Sequence, residues 1–293
     1  MVESHPYLMA IDGGGTSCRF ALQTPTGRQD VKLGGANVFT NRERAVQTLL
    51  DGMAQVLLRA GLQPSMLPDI PVYAGLAGVT DQDAAHQVAT RLPARIIEIE
   101  DDRRSAVVGA LRGRSGCLIG IGTGSFLARQ ASGGIKFAGG YGPIVGDEAS
   151  GNWLGLGLLR RALLALDGAM SASPLVTACL ERFENDAARI VAFSGTARPA
   201  DFAKFAPEVI EAARNGDSVG QELMQAGAQY IETGLRALGY EDGEPVCAVG
   251  GVAAHYADYL PPSMALTEPL GTALDGALEL ARRLAERSSR GVA

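Results

Sequence analysis

The chain contains 293 residues, and its 26 basic and 32 acidic side chains give a formal charge of −6. Apolar residues make up 46% of the chain and charged residues 20%, which is typical of a folded globular protein rather than a disordered one. The acidic balance argues against nucleic-acid and anionic-membrane partners, because both require a basic face. The sequence has no membrane-spanning apolar run and no signal-peptide pattern at its start, so we expect a cytoplasmic protein.

The cysteines and histidines give no sign of a metal centre. Cys18, Cys117, Cys179 and Cys247 lie far apart without a C-x-x-C motif, and the three histidines are equally scattered. We therefore predict buried, reduced thiols and no metal bound through sulfur. The unusual residue is glycine, with 38 copies, and the glycines occur in clusters that we expect to carry the function.

A repeated pattern appears near the start and near the middle of the chain. The apolar run Tyr7–Ile11 precedes Asp12-Gly13-Gly14-Gly15-Thr16, and the apolar run Cys117–Ile121 precedes Gly122-Thr123-Gly124-Ser125. Each loop is followed by a predicted strand, a glycine turn and a further strand. This internal repeat predicts two related domains, each of which opens with a hairpin.

Helical and extended patterns alternate through both halves of the sequence. Helices are predicted at 42–60, from about 80 to before 93, from 102, and at 151–166, 174–183, 200–215, 217–238 and 272–287. Further strands are predicted at 18–23, 30–33, 71–76, 95–99, 126–129, 135–138, 246–249 and 264–266. The alternation predicts an α/β fold with domains at 1–115 and 116–271, and the helix at 272–293 is expected to pack back onto the first domain.

The first loop has the composition of a phosphate-binding turn. A polyphosphate needs backbone N–H groups that converge without a Cβ in the way, and Gly13, Gly14 and Gly15 followed by Thr16 provide this. Arg19 is close enough in sequence to contact a phosphate, and Asp12 at the strand end could hold Mg²⁺ through water. The alternative is a plain tight hairpin turn.

The second loop strengthens the phosphate interpretation. Gly122, Thr123, Gly124 and Ser125 repeat the arrangement, so the two hairpins could clamp one polyphosphate from both sides. Neither loop has the spacing of a P-loop or of the dinucleotide-binding fingerprint.

Asp102 is the candidate catalytic base. It follows the predicted strand 95–99 and starts a helix, so it is either a general base at a strand end or a helix N-cap, and Asp101 is an alternative base.

The long glycine-rich segment 139–151 contains adjacent carboxylates and is more typical of a functional loop than of a structural one. Gly250-Gly251 after a strand is similar to a nucleotide-binding turn.

Taken in order, these motifs resemble the N-acetylglucosamine kinase branch of the BadF/BadG/BcrA/BcrD-type ATPase family, within the actin, hexokinase and heat-shock ATPase superfamily. The resemblance covers nearly the whole chain. It implies two ribonuclease-H-like domains around an ATP-binding cleft, with ATP and Mg²⁺ as cofactors. It implies phosphate loops at Gly13–Thr16 and Gly122–Ser125, an adenosine turn at Gly250 and Gly251, a catalytic Asp102, and sugar contacts from Asn37, Gly140, Tyr141 and Asp147.

The chain departs from the family pattern at two places. Arg103-Arg104 follow the candidate base where the branch has small residues, and Tyr141 stands where the branch has tryptophan. None of the cysteines lies where the activase branch shares an iron–sulfur cluster. The resemblance therefore implies an ATP-dependent hexosamine kinase that acts on N-acetylglucosamine. The alternatives are a glucosamine or other sugar kinase and an ATPase that activates a partner enzyme. The expected partner is a small amino sugar, with no nucleic acid or membrane, and a homodimer is compatible with this assignment.

Overall fold

The computed structural model describes residues 5–290, so the first four residues and the last three lie outside it. The described chain forms two compact units. Unit 1 contains the chain up to Gly113 and again from Pro269 onward, and unit 2 is Arg114–Glu268.

Ten strands and ten α-helices form the two units. The strands are β1 (Leu8–Gly13), β2 (Ser17–Thr24), β3 (Gly27–Gly34), β4 (Val72–Leu76), β5 (Ile97–Glu100), β6 (Gly116–Ile121), β7 (Ser125–Ala131), β8 (Gly134–Gly139), β9 (Val246–Val249) and β10 (Leu266–Thr267). The helices are α1 (Arg42–Arg59), α2 (Gln82–Ala89), α3 (Asp102–Leu111), α4 (Gly151–Leu166), α5 (Pro174–Arg182), α6 (Ala187–Thr196), α7 (Pro199–Phe202), α8 (Ala206–Arg214), α9 (Ser218–Ala237) and α10 (Ala273–Arg290).

Both units contain a five-stranded mixed sheet with the same topology. The order in unit 1 is β3-β2-β1-β4-β5, and in unit 2 it is β8-β7-β6-β9-β10. In each sheet the first three strands along the chain are antiparallel neighbours, and the last two are parallel to the first strand. The predicted repeat and the α/β class are confirmed, because the two Gly/Thr loops occupy equivalent β1–β2 and β6–β7 turns.

Glycines allow the helices of unit 1 to approach closely. A Cβ on Gly52 of α1 would lie 2.1 Å from the ring of Phe20, so α1 packs directly on the sheet. A Cβ on Gly109 of α3 would lie 1.9 Å from the Thr272 carbonyl oxygen. A Cβ on Gly276 of α10 would lie 1.9 Å from the Ser105 carbonyl oxygen, so α3 and α10 meet almost backbone to backbone. The C-terminal helix is therefore part of unit 1.

Some element predictions were wrong. The single helix expected at 200–215 consists of α7, a 3₁₀ turn at Ala203–Phe205, and α8, and α6 was not predicted. Pro199 and Pro207 lie in the first turns of α7 and α8, where proline starts a helix and interrupts a continuous one. The N-cap of α2 is Asp81, whose carboxylate accepts the Ala84 N–H at 2.8 Å.

The burial of the four cysteines agrees with the sequence prediction. All four cysteines are buried and free, and burial raises the pKa values of the Cys18, Cys117 and Cys179 thiols. Within residues 5–290 no group of three or more His, Cys, Asp or Glu side chains could hold a metal ion. No described helix combines the length and the apolar character that crossing a bilayer requires.

Candidate active site

The first Gly/Thr loop is a hairpin turn that is exposed to solvent at Gly15 and Thr16 and packs against the chain that follows β3. The Gly14 N–H donates to the Ser17 carbonyl at 2.9 Å, and the Gly14 carbonyl accepts the Ala36 N–H at 3.0 Å. A Cβ on Gly35 would lie 2.1 Å from the Gly15 carbonyl oxygen, so the chain after β3 packs tightly under the loop. Gly15 and Thr16 are exposed. No carbonyl in the described chain accepts their N–H groups, which leaves both donors available for an anion.

Asp12 and Arg19 form an ion pair across the β1–β2 hairpin. Arg19 Nη1 lies 3.1 Å from Asp12 Oδ2, with the Arg19 side chain 51% exposed and the Asp12 side chain 12% exposed. Burial raises the pKa of Asp12, and Arg19 opposes this rise. The predicted phosphate contact and the predicted magnesium carboxylate are therefore partners of each other.

Asp101 and Asp102 have different environments at the start of α3. Asp101 is the N-cap, and its carboxylate accepts the Arg103 N–H at 2.8 Å and the Arg103 Nε–H at 3.0 Å. Asp102 is half-buried in the first helical turn, so it is not the N-cap that the sequence also allowed. Burial, and then the charges of Asp101 and Asp12, raise the pKa of Asp102 to about 6. Such a carboxylate is ionised at neutral pH and is a stronger proton acceptor than an ordinary aspartate.

Gly75 on β4 makes room for Asp102 and was not singled out by the sequence analysis. A Cβ on Gly75 would lie 2.5 Å from Ser105 Oγ and 3.3 Å from Asp102 Cα. The first turn of α3 therefore rests on bare backbone at the carboxyl end of the parallel strands. The Gly75 signal in the sequence is a single glycine inside a strand pattern, which typically marks a close backbone approach.

The side-chain oxygen of Asn37 already accepts hydrogen bonds from a neighbouring residue. Its Oδ1 accepts the Thr40 N–H at 2.9 Å and the Thr40 hydroxyl at 3.1 Å. A Cβ on Gly78 would lie 2.6 Å from the same Oδ1. The Nδ2 group has no acceptor among the described residues, so Asn37 can offer a sugar its donor but not a free carbonyl oxygen.

The second Gly/Thr loop lies at the amino end of α4. The Gly122 carbonyl accepts the Gly151 N–H at 2.8 Å, and the Thr123 carbonyl accepts the Asn152 N–H at 3.2 Å. Ser125 is buried and its hydroxyl donates to the Glu148 carbonyl at 2.6 Å, so this predicted phosphate ligand is engaged by the backbone. The Thr123 side chain is exposed, and its hydroxyl has no partner within residues 5–290.

Asp147 joins the second Gly/Thr loop to the glycine-rich segment. It is buried, has a positive φ of 58°, and its carboxylate lies close to Gly124, where a Cβ would be 2.7 Å from Oδ2. Burial raises its pKa, while the nearby backbone N–H groups of Ser125 and Gly142 lower it. The carboxylate predicted to bind sugar hydroxyls thus lies against the backbone of its own unit.

Tyr141 lies in the exposed part of the glycine-rich segment 139–151. It is 74% exposed, and Gly140 and Gly142 on either side have positive φ values of 75° and 90°. Tyr230 of α9 also faces the segment, since a Cβ on Gly139 would lie 2.3 Å from its hydroxyl. The sequence analysis missed Tyr230, because an isolated tyrosine in an amphipathic helix is usually a core residue.

A cavity of about 560 Å³ opens beside the second loop within unit 2. Gly122, Thr123 and Gly151 line one end, and Gly251, Val252 and His255 line another. Its remaining wall is the face of α8 together with Ala203. The lining residues on that wall are Ala203, Ala206, Pro207, Ile210, Glu211 and Arg214. Sequence reasoning found the glycines but not the α8 wall, whose apolar positions are indistinguishable from core.

Gly250 and Gly251 have different structural requirements. Gly250 has a φ of 95°, and a Cβ there would lie 2.3 Å from the Ile121 carbonyl oxygen. Gly251 has open space around it and lines the cavity. Gly250 is therefore needed for the turn itself, and Gly251 leaves room for a ligand.

The repeated sheets and their Gly/Thr hairpins define an α/β protein of the actin-like ATPase class. The chain belongs to the BadF/BadG/BcrA/BcrD ATPase family, whose sequence profile matches residues 10–260. The resemblance expected from the ordered motifs is thereby confirmed.

Two relatives and two solved structures are similar to this chain over most of its length. Glucosamine kinase GspK of Vibrio cholerae is 33% identical over 280 residues, which cover 94% of this chain and 95% of the relative. An N-acetylmuramic acid/N-acetylglucosamine kinase of Clostridium acetobutylicum is 25% identical and covers 79% of both chains. A Chromobacterium violaceum structure described as a "Putative N-acetylglucosamine Kinase" has a TM-score of 0.83 and 32% identity, covering 95% of this chain and 99% of that one. A glucokinase of the ROK family from Streptomyces griseus, bound to glucose and AMPPNP, covers 94% of this chain and 99% of that one, and its TM-score of 0.57 at 18% identity shows a shared fold.

Proposed function

We propose that this chain is an ATP-dependent sugar kinase that transfers the γ-phosphoryl group of ATP to a hydroxyl of an amino sugar, with Asp102 as the general base. The observation that carries the proposal is the environment of Asp102. This carboxylate lies at the carboxyl end of a parallel strand pair, no side-chain donor of the described chain contacts it, and its pKa is raised to about 6. A kinase needs such a group to accept the proton of the attacking hydroxyl.

The proposed ATP-binding groups are described separately for each unit. The free N–H groups of Gly15 and Thr16, and the Thr123 hydroxyl, are the proposed donors to the phosphate oxygens. The cavity of about 560 Å³ has the size of a small-molecule site and is the proposed adenosine pocket. Its apolar wall on α8 suits the face of a purine ring.

The residues present fit a magnesium ion that is coordinated mainly by the phosphates of ATP. Mg²⁺ usually keeps several waters and binds through one or two carboxylates plus substrate phosphates, so it needs no cage of three protein ligands. Asp12 supplies one buried carboxylate, and Arg19 contacts only its Oδ2 atom at 3.1 Å. When bound, the cation would neutralise charge on the transferring phosphoryl group, with Asp12 holding one of its waters.

Glucosamine is the proposed acceptor, and N-acetylglucosamine is the second candidate. The sequence resemblance favoured N-acetylglucosamine, but the relative that is 33% identical over almost the whole of both chains is named a glucosamine kinase, which supports the free amine. Glucosamine is cationic when protonated, and Asp102 supplies a carboxylate that no side-chain donor of the described chain neutralises. The second candidate is supported by the names given to the Clostridium and Chromobacterium proteins.

The experiment is a coupled ADP-release assay with glucosamine, N-acetylglucosamine, N-acetylmuramic acid and glucose at several concentrations. We expect kcat/KM to be highest for glucosamine, and Asp102→Asn to serve as the inactive control. A higher kcat/KM for N-acetylglucosamine would transfer the assignment to the second candidate. ADP release that is independent of every sugar would contradict the kinase proposal and favour an ATPase that acts on a partner protein.

A further inference from the structure

The segment Glu100-Asp101-Asp102-Arg103-Arg104 places three carboxylates directly before two guanidinium groups. The structure pairs these charges selectively. Arg103 Nε donates to Asp101 Oδ2 at 3.0 Å, and Arg104 Nη1 donates to Glu100 Oε1 at 2.6 Å. No side-chain donor within residues 5–290 contacts the carboxylate of Asp102. The two arginines therefore neutralise the two carboxylates that precede Asp102 in the chain.

Glu100 also ties the first turn of α3 to the sheet. Its Oε2 accepts the hydroxyl of Tyr73 at 2.6 Å, and Tyr73 lies on the neighbouring strand β4 with only 1% of its surface exposed. Arg104 reaches this carboxylate from the helix and lies 3.8 Å from Glu98, which also pairs with Arg287 of α10. The start of α3 is thus fastened to β4, β5 and α10 through charged side chains.

The carboxylate of Asp101 is also held by hydrogen bonds. Its Oδ1 accepts the Arg103 backbone N–H at 2.8 Å as the helix N-cap, and its Oδ2 faces the Arg103 guanidinium. A carboxylate whose two oxygens already accept hydrogen bonds from a backbone N–H and a guanidinium is less available to a sugar hydroxyl than one without such partners.

We infer that Arg103 and Arg104 are positioning residues: they neutralise Asp101 and Glu100 and fix the first turn of α3, so that Asp102 alone presents a free carboxylate to the acceptor hydroxyl. The inference rests on the proposed role of Asp102 and adds which neighbours select it.

Several charged groups surround Asp102. Asp101 and Arg103 face it from its own turn, and Asp12 with its partner Arg19 faces it from the β1–β2 hairpin. Glu100 and Arg104 lie on either side, and the Glu98–Arg287 pair lies beyond them. Asp101 raises the pKa of Asp102 and Arg103 lowers it, so removing each should shift the pKa in opposite directions.

The first test compares Arg103→Gln with Asp101→Asn in the acidic limb of the kcat/KM profile for the sugar. Arg103→Gln removes a cation and unmasks Asp101, so the limb should move to higher pH by roughly 0.5 unit or more. Asp101→Asn keeps a good N-cap but removes a negative charge, so the limb should move to lower pH. Arg91→Gln, which breaks the exposed ion pair of Arg91 with Glu43 elsewhere in unit 1, should leave the limb in place.

The second test separates positioning from folding at Arg104. Arg104→Met keeps the bulk of the side chain but frees Glu100, and kcat should fall by about tenfold or more while KM for ATP stays near wild type. Arg104→Lys keeps the charge and should recover part of kcat. Tyr73→Phe should lower kcat in the same direction, because it releases the other oxygen of Glu100. Equal thermal melting of the variants at neutral pH establishes that the loss is not unfolding.

The outcomes distinguish the inference from the proposed function. Full sugar-dependent activity in Asp102→Asn would contradict the base assignment itself. Loss of activity in Asp102→Asn, combined with an unmoved acidic limb in both Arg103→Gln and Asp101→Asn and an unchanged kcat in Arg104→Met, would overturn only the positioning role. Opposite shifts of the two limbs together with partial rescue by Arg104→Lys would support it.

Discussion

The carboxylate of Asp147 occupies the space directly over Gly124: a Cβ on that glycine would lie 2.7 Å from Asp147 Oδ2. The backbone N–H groups of Ser125 and Gly142 also face this carboxylate and lower its pKa, so one buried side chain lies between the second Gly/Thr loop and the segment that carries Tyr141. The glycine of the loop is therefore required by a neighbouring carboxylate as well as by any phosphate.

Gly124→Ala should consequently weaken ATP binding by about tenfold or more, because the added methyl group displaces the buried Asp147 side chain and disturbs the second Gly/Thr loop. The affinity is measured by calorimetry with a non-hydrolysable ATP analogue. Gly133→Ala is the matched control, since Gly133 lies in the β7–β8 turn with nothing within 4 Å of a Cβ. Wild-type affinity in Gly124→Ala would argue against the proposed loop contact with phosphate.

The Gly250-Gly251 turn provides a pair of variants with different expected defects. Gly250→Ala should lower thermal stability by about 1–3 kcal/mol, because the residue has a positive φ and its Cβ would meet the Ile121 carbonyl oxygen. Gly251→Val should fold normally, since its surroundings are open, but should raise KM for ATP by narrowing the cavity. The checks are thermal melting and ATP-dependent kinetics of both variants. An unchanged KM for ATP in Gly251→Val would count against this cavity as the adenosine pocket.

The sequence was sufficient for the repeat and for most of the sheets, because apolar runs and glycine turns are local signals. The two Gly/Thr loops predicted the hairpin that opens each unit, and the structure has both hairpins. The sequence failed at 200–215, where α7 and α8 are separate helices that begin around prolines, and it missed α6 altogether. Helices in that region are short, so their periodicity is weak.

The sequence supplied candidate residues for the site but not the contacts between them. Nothing in the order of residues indicates that Ser125 donates to Glu148 or that the Asp147 carboxylate packs against Gly124. These contacts connect segments that fold onto each other only in the tertiary structure. The choice between Asp101 and Asp102 likewise depends on where the guanidinium of Arg103 points, which the structure places on Asp101.

The raised pKa of Asp102 predicts the pH dependence of the reaction. A general base works only when it is deprotonated, so kcat/KM for the sugar should fall below a limb near pH 6, since the pKa of Asp102 is raised to about 6. The profile is measured from pH 5 to 9 with the enzyme preincubated at each pH to exclude denaturation. A profile that stays flat down to pH 5 would contradict Asp102 as the base, because an ordinary aspartate titrates lower.

Asp102→Asn should separate activity from stability. It removes the proton acceptor, so sugar-dependent kcat should fall by about 10²–10⁴. The pKa of the native carboxyl is raised from 3.8 to about 6, so its contribution to stability is fully present below pH 3.8 and is lost as pH rises through 6. At pH 7.5 the ionised carboxylate therefore destabilises the fold, by up to about 3 kcal/mol. The neutral amide avoids this cost, and the variant should unfold at a higher urea concentration than wild type at pH 7.5.

The difference in stability between Asp102→Asn and wild type should shrink at pH 5, where the native carboxyl is largely protonated. Asp101→Asn is the matched control: it leaves Asp102 in place, keeps the N-cap, and should retain sugar-dependent turnover within about tenfold of wild type. Urea unfolding followed by circular dichroism at pH 5 and pH 7.5 gives the stabilities, and the coupled ADP assay gives kcat. An Asp102→Asn protein that is inactive and also less stable than wild type at pH 7.5 would indicate that Asp102 holds the fold together. An inactive Asp101→Asn beside an active Asp102→Asn would move the base to the neighbouring carboxylate.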